Sequence, residues 1–179
     1  MSAVERPPRW GEATAALPGQ YRLIRVTTDA EMAAVLALRQ RVFGDEQRIV
    51  DASVTDPDDA RSLHALAFAV DAAGDHPAGT GRLTLDFGER GEALIAWVAT
   101  APEARGRGIG SATMRFLIAA ADEAGTPVVL LSAQIHAEPF YRRLGFVAAG
   151  DPFLVKEIEH RWMARRHPGT PRDSDAQSR

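Results

Sequence analysis

Between Ala93 and Leu131 the chain passes from strand to helix and back across one glycine-rich turn, and few folds accommodate that succession. Ala93 to Ala99 reads as a strand, followed by Arg105-Gly106-Arg107-Gly108-Ile109-Gly110. Ser111 to Ala124 then sets Met114, Leu117, Ile118 and Ala121 at helical spacing, and Gly125 stops the helix. Pro127 opens Val128-Val129-Leu130-Leu131, an apolar run suited to a strand buried on both faces. Strand, tight turn, helix and buried strand form a crossover unit.

The preceding segment is a meander. Tyr21 to Val26 alternates, and Thr28 with Glu31 makes a capping box for a helix carrying Met32, Val35, Leu36, Val42 and Phe43 on one stripe. Asp45 to Arg61 is polar and fits a loop or a short helix. Leu66 to Asp71 is a strand, and Gly81 to Phe87 another, with Leu83, Leu85 and Phe87 opposite Arg82, Thr84 and Asp86. After the crossover come a short helix, Ala137 to Leu144, and closing strands at Phe146 to Ala149 and Glu159 to Met163. The expected class is α+β: an α/β/α sandwich with a mixed, mostly antiparallel twisted sheet and helices on both faces. One domain is expected over 21–164, between a flexible segment 1–20 and a disordered tail 165–179.

Composition narrows the function. A net charge of −3 gives no footing for nucleic acid. The absence of cysteine removes disulfides, thiolate metal sites and thiol acyl-enzymes, and fits a reducing cytoplasm, the expected location. Met1 to Gln20 has no apolar run of signal-peptide length, and nothing later approaches a membrane span. Oligomeric state is not specified; a homodimer is compatible with the sequence.

The loop itself points to an anion. Glycines bring successive N–H groups close to a ligand, and the helix start adds orphan donors and about half a positive charge. Arg105 and Arg107 add charge-assisted contacts, an arrangement suited to pyrophosphate. The Gly-Lys-Ser/Thr ending of a Walker loop is missing, and a Rossmann loop would open an alternating β/α chain rather than follow a meander.

Arg105, Gly108 and Gly110 in this setting resemble the Arg/Gln-x-x-Gly-x-Gly/Ala hallmark of the GNAT superfamily of N-acetyltransferases. Phe140-Tyr141-Arg142-Arg143-Leu144-Gly145-Phe146 resembles the same family's Phe-Tyr-x-x-x-Gly-Phe segment, one strand and one helix later. A narrower likeness, to the ElaA-like subgroup, rests on Leu38-Arg39, Val42-Phe43, Glu46-Gln47, Asp56, Asp59, His64, Ala133-Gln134, His160 and Met163. Lys156-Glu157-Ile158 departs from it, standing where a glycine-containing turn is expected.

The resemblance implies acetyl-CoA as co-substrate, a small primary amine as acceptor, direct transfer in a ternary complex and no metal. It implies that acetyl-CoA lies along Val98, Ala99 and Thr100 through main-chain contacts. Its diphosphate would sit on Arg105, Gly106, Arg107, Gly108, Ile109, Gly110 and Ser111, with Gln134 as a further contact. Tyr141 is the expected general acid for the departing thiolate. The base is open among His136, Glu138, His160, Glu157, His64 and a water chain, with His136 and His160 the named candidates. Glu46 and Gln47 are expected to line the acceptor pocket. Asp56, Asp59 and His64 read as solvated or capping residues rather than metal ligands. Two rival readings stand beside this one: a non-catalytic acyl-CoA sensor, and transfer to a protein amine.

Overall fold

The computed structural model describes residues 15–17, 21–47, 53–71 and 74–169. Trp10 and most of the expected lead-in and tail lie outside them. The strands are β1 (Ala15–Leu17), β2 (Tyr21–Arg25), β3 (Leu63–Asp71), β4 (Gly74–Thr84), β5 (Ala93–Thr100), β6 (Val128–Gln134), β7 (Val147–Ala148), β8 (Phe153–Val155) and β9 (Ile158–Arg166). The helices are α1 (Asp29–Arg39), α2 (Ile109–Glu123) and α3 (Glu138–Arg142). The sheet order is β1-β2-β3-β4-β5-β6-β9-β7, with β8 also on β9. Every pair is antiparallel except β5 with β6.

Local chemistry explains the elements that were expected. The Thr28 hydroxyl accepts from the Glu31 amide and the Glu31 carboxylate accepts from the Thr28 amide, so α1 starts at its capping box. Beyond Arg39 the helix widens into a π-helical turn, Gln40–Glu46, which turns the predicted stripe so that Val42 is buried and Phe43 only partly. Two differences touch the expected boundaries: β1 pairs with β2 inside the segment read as flexible, and β9 runs to Arg166.

Both faces of the sheet are covered. Gly79 and Gly81 face α2, where an added Cβ would come within 2.4 Å of Ile109 and 2.8 Å of Leu117. The glycines thus let α2 sit close against β4. Residues between them face the other way, and there Thr80, Arg82 and Thr84 are buried under α1 and the segment before β3. In the sequence, alternation sets Arg82 and Thr84 opposite Leu83 and Leu85 without saying what covers that face. The segment before β3 covers that face: Asp56 and Asp59 accept from the Arg82 guanidinium, and the Ser62 hydroxyl pairs with that of Thr84 at 2.8 Å. Among the described residues, no helix is long and apolar enough to cross a membrane.

Candidate active site

β5 and β6 pair only at Ala93–Val129 and Leu94–Leu130 and then part, leaving their facing edges open toward the C-terminal ends. On its other edge β5 follows β4 with a register shift, where Trp97 and Val98 together oppose Gly81. Trp97 carries this bulge at φ 56, a left-handed conformation that costs a side chain roughly 1–2 kcal/mol. Its surroundings hold it there. The indole Nε1 donates to Asp56 Oδ2 at 3.1 Å, the ring meets Phe43 edge-on at 5.3 Å, and the Arg39 guanidinium lies 4.8 Å from it.

Below the bulge, the Ala101 amide donates to Ala78 of β4 at 2.9 Å. Strand alternation then turns the polar groups of Thr100 and Val98 to the opposite edge, into the gap. The Thr100 carbonyl there accepts from Arg105 Nε at 3.2 Å.

The gap opens onto a cavity of about 490 Å³. Val98 and Thr100 line one side; Arg105, Gly106, Gly108, Ile109, Gly110 and Ser111 line the other, with Phe140 and Arg143 across the mouth. Gly106 and Gly108 have φ of 75 and 85, and α2 begins at Ile109, two residues before its expected start. No side chain caps that helix, so its first amides keep no internal partner. An added Cβ at Gly110 would lie 3.2 Å from Thr100 Oγ1 and 3.6 Å from Phe140. The cradle therefore closes tightly around bare backbone, which is what an anion held by main-chain donors needs.

The side chains of three of the expected residues have other surroundings. Ala99 points into the core, 4% exposed. Arg107 is exposed, its Nη1 reaching the Tyr21 hydroxyl at 3.5 Å. The Arg105 side chain forms a bidentate pair with Glu46 at 2.7 and 2.6 Å, which places Glu46 beside the glycine-rich turn. Arg41 and Glu103 pair in the same way alongside, at 2.8 Å.

A second cavity, of about 500 Å³, meets the first at Val98. Tyr141, His160, Gln134 and Gln47 line it. Gln134 donates to Gln47 at 3.0 Å, tying β6 to the end of the π-helical turn. Tyr141 is wedged between Phe140 and Phe146, at 5.0 and 6.2 Å, and burial pushes its phenol up to about 12. The hydroxyl therefore keeps its proton at any working pH.

The histidines separate by position. His160 Nδ1 lies 2.8 Å from the Ile158 carbonyl, which can only accept, so Nδ1 carries a proton and in the neutral ring Nε2 presents the lone pair. His136 is exposed on the 3-10 turn Ile135–Ala137 and lines neither cavity. Glu138 is buried and paired with Arg142 and Arg161 at 2.9 and 3.2 Å. Glu157 is exposed in the two-residue turn between β8 and β9, where Lys156 and Glu157 have φ of 45 and 66 without a glycine.

His64 sits in a buried charge cluster that sequence reasoning missed. Arg39 Nη1 donates to both Asp59 oxygens, at 3.0 and 2.9 Å, and Arg82 Nη1 reaches Asp56 at 2.7 Å and Asp59 at 3.2 Å. Arg39 and Arg82 are 0% and 1% exposed. The aspartates expected to be solvated or capping do accept backbone amides, Asp56 from Asp58 and Asp59 from Asp56, and are also taken up by two guanidiniums rather than solvated. Burial works against the Asp56 charge, but Arg82, the Asp58 amide and the Trp97 indole outweigh it and lower the carboxyl to about 2. The available signal was Arg39 itself, a charge one position past Leu38 on the apolar side of α1.

In this cluster His64 Nδ1 faces Arg39 Nη2 at 3.2 Å, so it must accept, while Nε2 donates to the Asp59 carbonyl at 2.9 Å. The ring is neutral. Burial first, then the charges of Arg39 and Arg82, lower its pKa, against the pull of Asp59. The unfolded chain, with His64 near 6.5, then takes up the proton first on acidification. This contribution to stability is complete above about pH 6.5 and is lost as pH falls from there through the lowered value. Thermal denaturation between pH 7.5 and 5 should therefore give a falling Tm, and His64→Gln should flatten that decline. An equal decline in both proteins rejects the assignment.

Residues 32–146 match the Acetyltransferase (GNAT) family. The chain is 28% identical over 129 residues to the uncharacterised N-acetyltransferase YjcF of Bacillus subtilis, covering 72% of this chain and 87% of that protein. Among solved structures it resembles an acyl-CoA N-acyltransferase from Pseudomonas aeruginosa, with TM-score 0.68 and 29% identity over 81% of this chain and 97% of that one. It also resembles Escherichia coli ElaA, with TM-score 0.71 and 22% identity over 82% of this chain and 99% of that one.

Proposed function

The chain belongs to the acetyltransferase (GNAT) family, and from that premise we propose that it moves the acetyl group of acetyl-CoA directly onto the primary amine of a small molecule. The observation that carries this reading is the junction of the two cavities at Val98. One cavity offers a main-chain anion cradle, and the other holds a protonated phenol and a histidine lone pair.

In this reading the diphosphate of acetyl-CoA rests on the amides of Gly108 to Ser111. The arm follows β5, and the Val98 and Thr100 amides, facing the gap, hold it and polarise the thioester carbonyl. A donor aimed at the developing oxyanion is worth about 3 kcal/mol of barrier. The amine enters from the second cavity as an ammonium, donates to His160 Nε2 and loses a proton to it. His160 passes that proton to solvent, the neutral nitrogen attacks the acetyl carbon to form the C–N bond, and the nitrogen gives its second proton to His160 as the C–S bond breaks. The thiolate takes its proton from Tyr141, and solvent restores the phenol. A thiol ordinarily titrates at about 8–9, well below this phenol, so the transfer requires the thiolate to be equally desolvated, which raises its basicity.

Calorimetry with coenzyme A tests the cradle. An added Cβ at Gly108 meets nothing within 4 Å, so Gly108→Ala acts only through its left-handed backbone. A strain of roughly 1–2 kcal/mol that displaces the amides should weaken binding by about tenfold. Unchanged affinity would remove the anion-cradle reading. Release of free coenzyme A over a panel of amines, with Tyr141→Phe alongside, tests the transfer. Tight coenzyme A binding with no amine turned over would leave a sensor.

A further inference from the structure

We propose that the second cavity is built for an arylalkylamine, a primary amine held one or two carbons from an aromatic ring. This deepens the acetyl-transfer reading and rests on it for the role of His160.

His160 and Trp162 stand two residues apart on β9 and so project from the same face, about 7 Å apart. Phe153 lies across the ladder opposite His160. Its ring stacks on Trp162 at 5.9 Å and 26°, and tilts toward the His160 ring at 6.2 Å. All three line the cavity, so the base belongs to a continuous aromatic wall. Trp162 keeps 37% of its surface exposed, an indole that the fold leaves incompletely covered. Across the cavity the edge-on pair of Phe43 and Trp97 forms a second aromatic wall. A ring slid between these walls, with a tether of one or two carbons, puts its nitrogen about 4–5 Å from the ring centre. That length joins the Phe153–Trp162 stack to His160 Nε2.

Charge argues in the same direction. Among the described residues Asp56 is the only carboxylate lining the cavity. Its Oδ1 is taken by Arg82 and the Asp58 amide, its Oδ2 by Trp97. A polyamine would find no unengaged anion there, whereas an aromatic body with one nitrogen finds stacking surface and one acceptor.

The test is calorimetry on the full-length protein saturated with coenzyme A, titrated with phenethylamine, n-butylamine and putrescine. Phenethylamine should bind at least tenfold more tightly than either aliphatic amine. Trp162→Leu, which keeps apolar cover but removes the indole, should bring the phenethylamine to n-butylamine ratio close to one, and Phe153→Leu should reduce it severalfold. Both substitutions are on a partly exposed wall, and an unchanged thermal midpoint checks that they fold. No phenethylamine binding, a preference for putrescine, or a selectivity that survives Trp162→Leu overturns the proposal. Because binding is read without turnover, phenethylamine that binds but is never acetylated counts against the transfer mechanism and leaves the ligand assignment standing.

Discussion

Asp59→Ala is expected to destabilise the domain by about 3–5 kcal/mol, the loss typical of a buried ion pair deprived of one partner. Arg39 has no exposed surface, and Asp59 takes both of its carboxylate hydrogen bonds. Arg82 Nη1 and the Asp56 amide also end on this carboxylate. Alanine therefore leaves a guanidinium in a dry site, with only the Val54 carbonyl and the His64 ring to receive its protons. A domain of this size has about 5–15 kcal/mol in all, so the midpoint should fall on the order of 10 °C. Removing the charge as well separates the pair from its burial. Arg39→Met combined with Asp59→Ala should be less damaging than Asp59→Ala alone, because the uncompensated cation has gone. Urea denaturation of the three proteins measures this. A loss under about 1 kcal/mol, the value of an exposed pair, would mean that water reaches the cluster.

His160→Gln should lower kcat by about 100-fold at neutral pH, the scale of a lost general base and roughly 2.7 kcal/mol of barrier. Coenzyme A affinity should hold, since the cradle lies in the other cavity. Glutamine fills similar space and still donates toward the Ile158 carbonyl, but it offers no basic nitrogen. The split between kcat and KM distinguishes loss of a base from loss of position: kcat should fall while KM for the amine stays within about threefold. A rate within threefold of the parent would move the base elsewhere; His136 is exposed and does not itself line the cavity.

How much of this was legible depends on how local the chemistry is. The capping box at Thr28 and Glu31, the glycines at 106 and 108 and the Phe140-Tyr141 segment are fixed by backbone needs within a few residues, and each is where the sequence placed it. Long-range charge pairing was not legible. Arg105 read as a phosphate ligand and Glu46 as a pocket acid, yet they bind each other across 59 positions. Alternation separates the two faces at Arg82 but cannot say what will cover either, and the partners of Arg82 come from 23 and 26 residues upstream. The Trp97 bulge left no glycine to mark it. Its strain is held by Asp56, Phe43 and Arg39, which come from elsewhere in the chain.

The two-rung contact between β5 and β6 has a mechanical consequence. It divides the sheet into an amino-terminal leaf, β1 to β5, and a carboxy-terminal leaf, β6 to β9, with α2 as the chain's bridge between them. A guest seated in the notch laces the leaves with backbone pairing that the polypeptide itself omits. If the proposed ligand pairs with both edges, its binding and the cohesion of the two leaves are linked, and occupancy raises the stability of the domain.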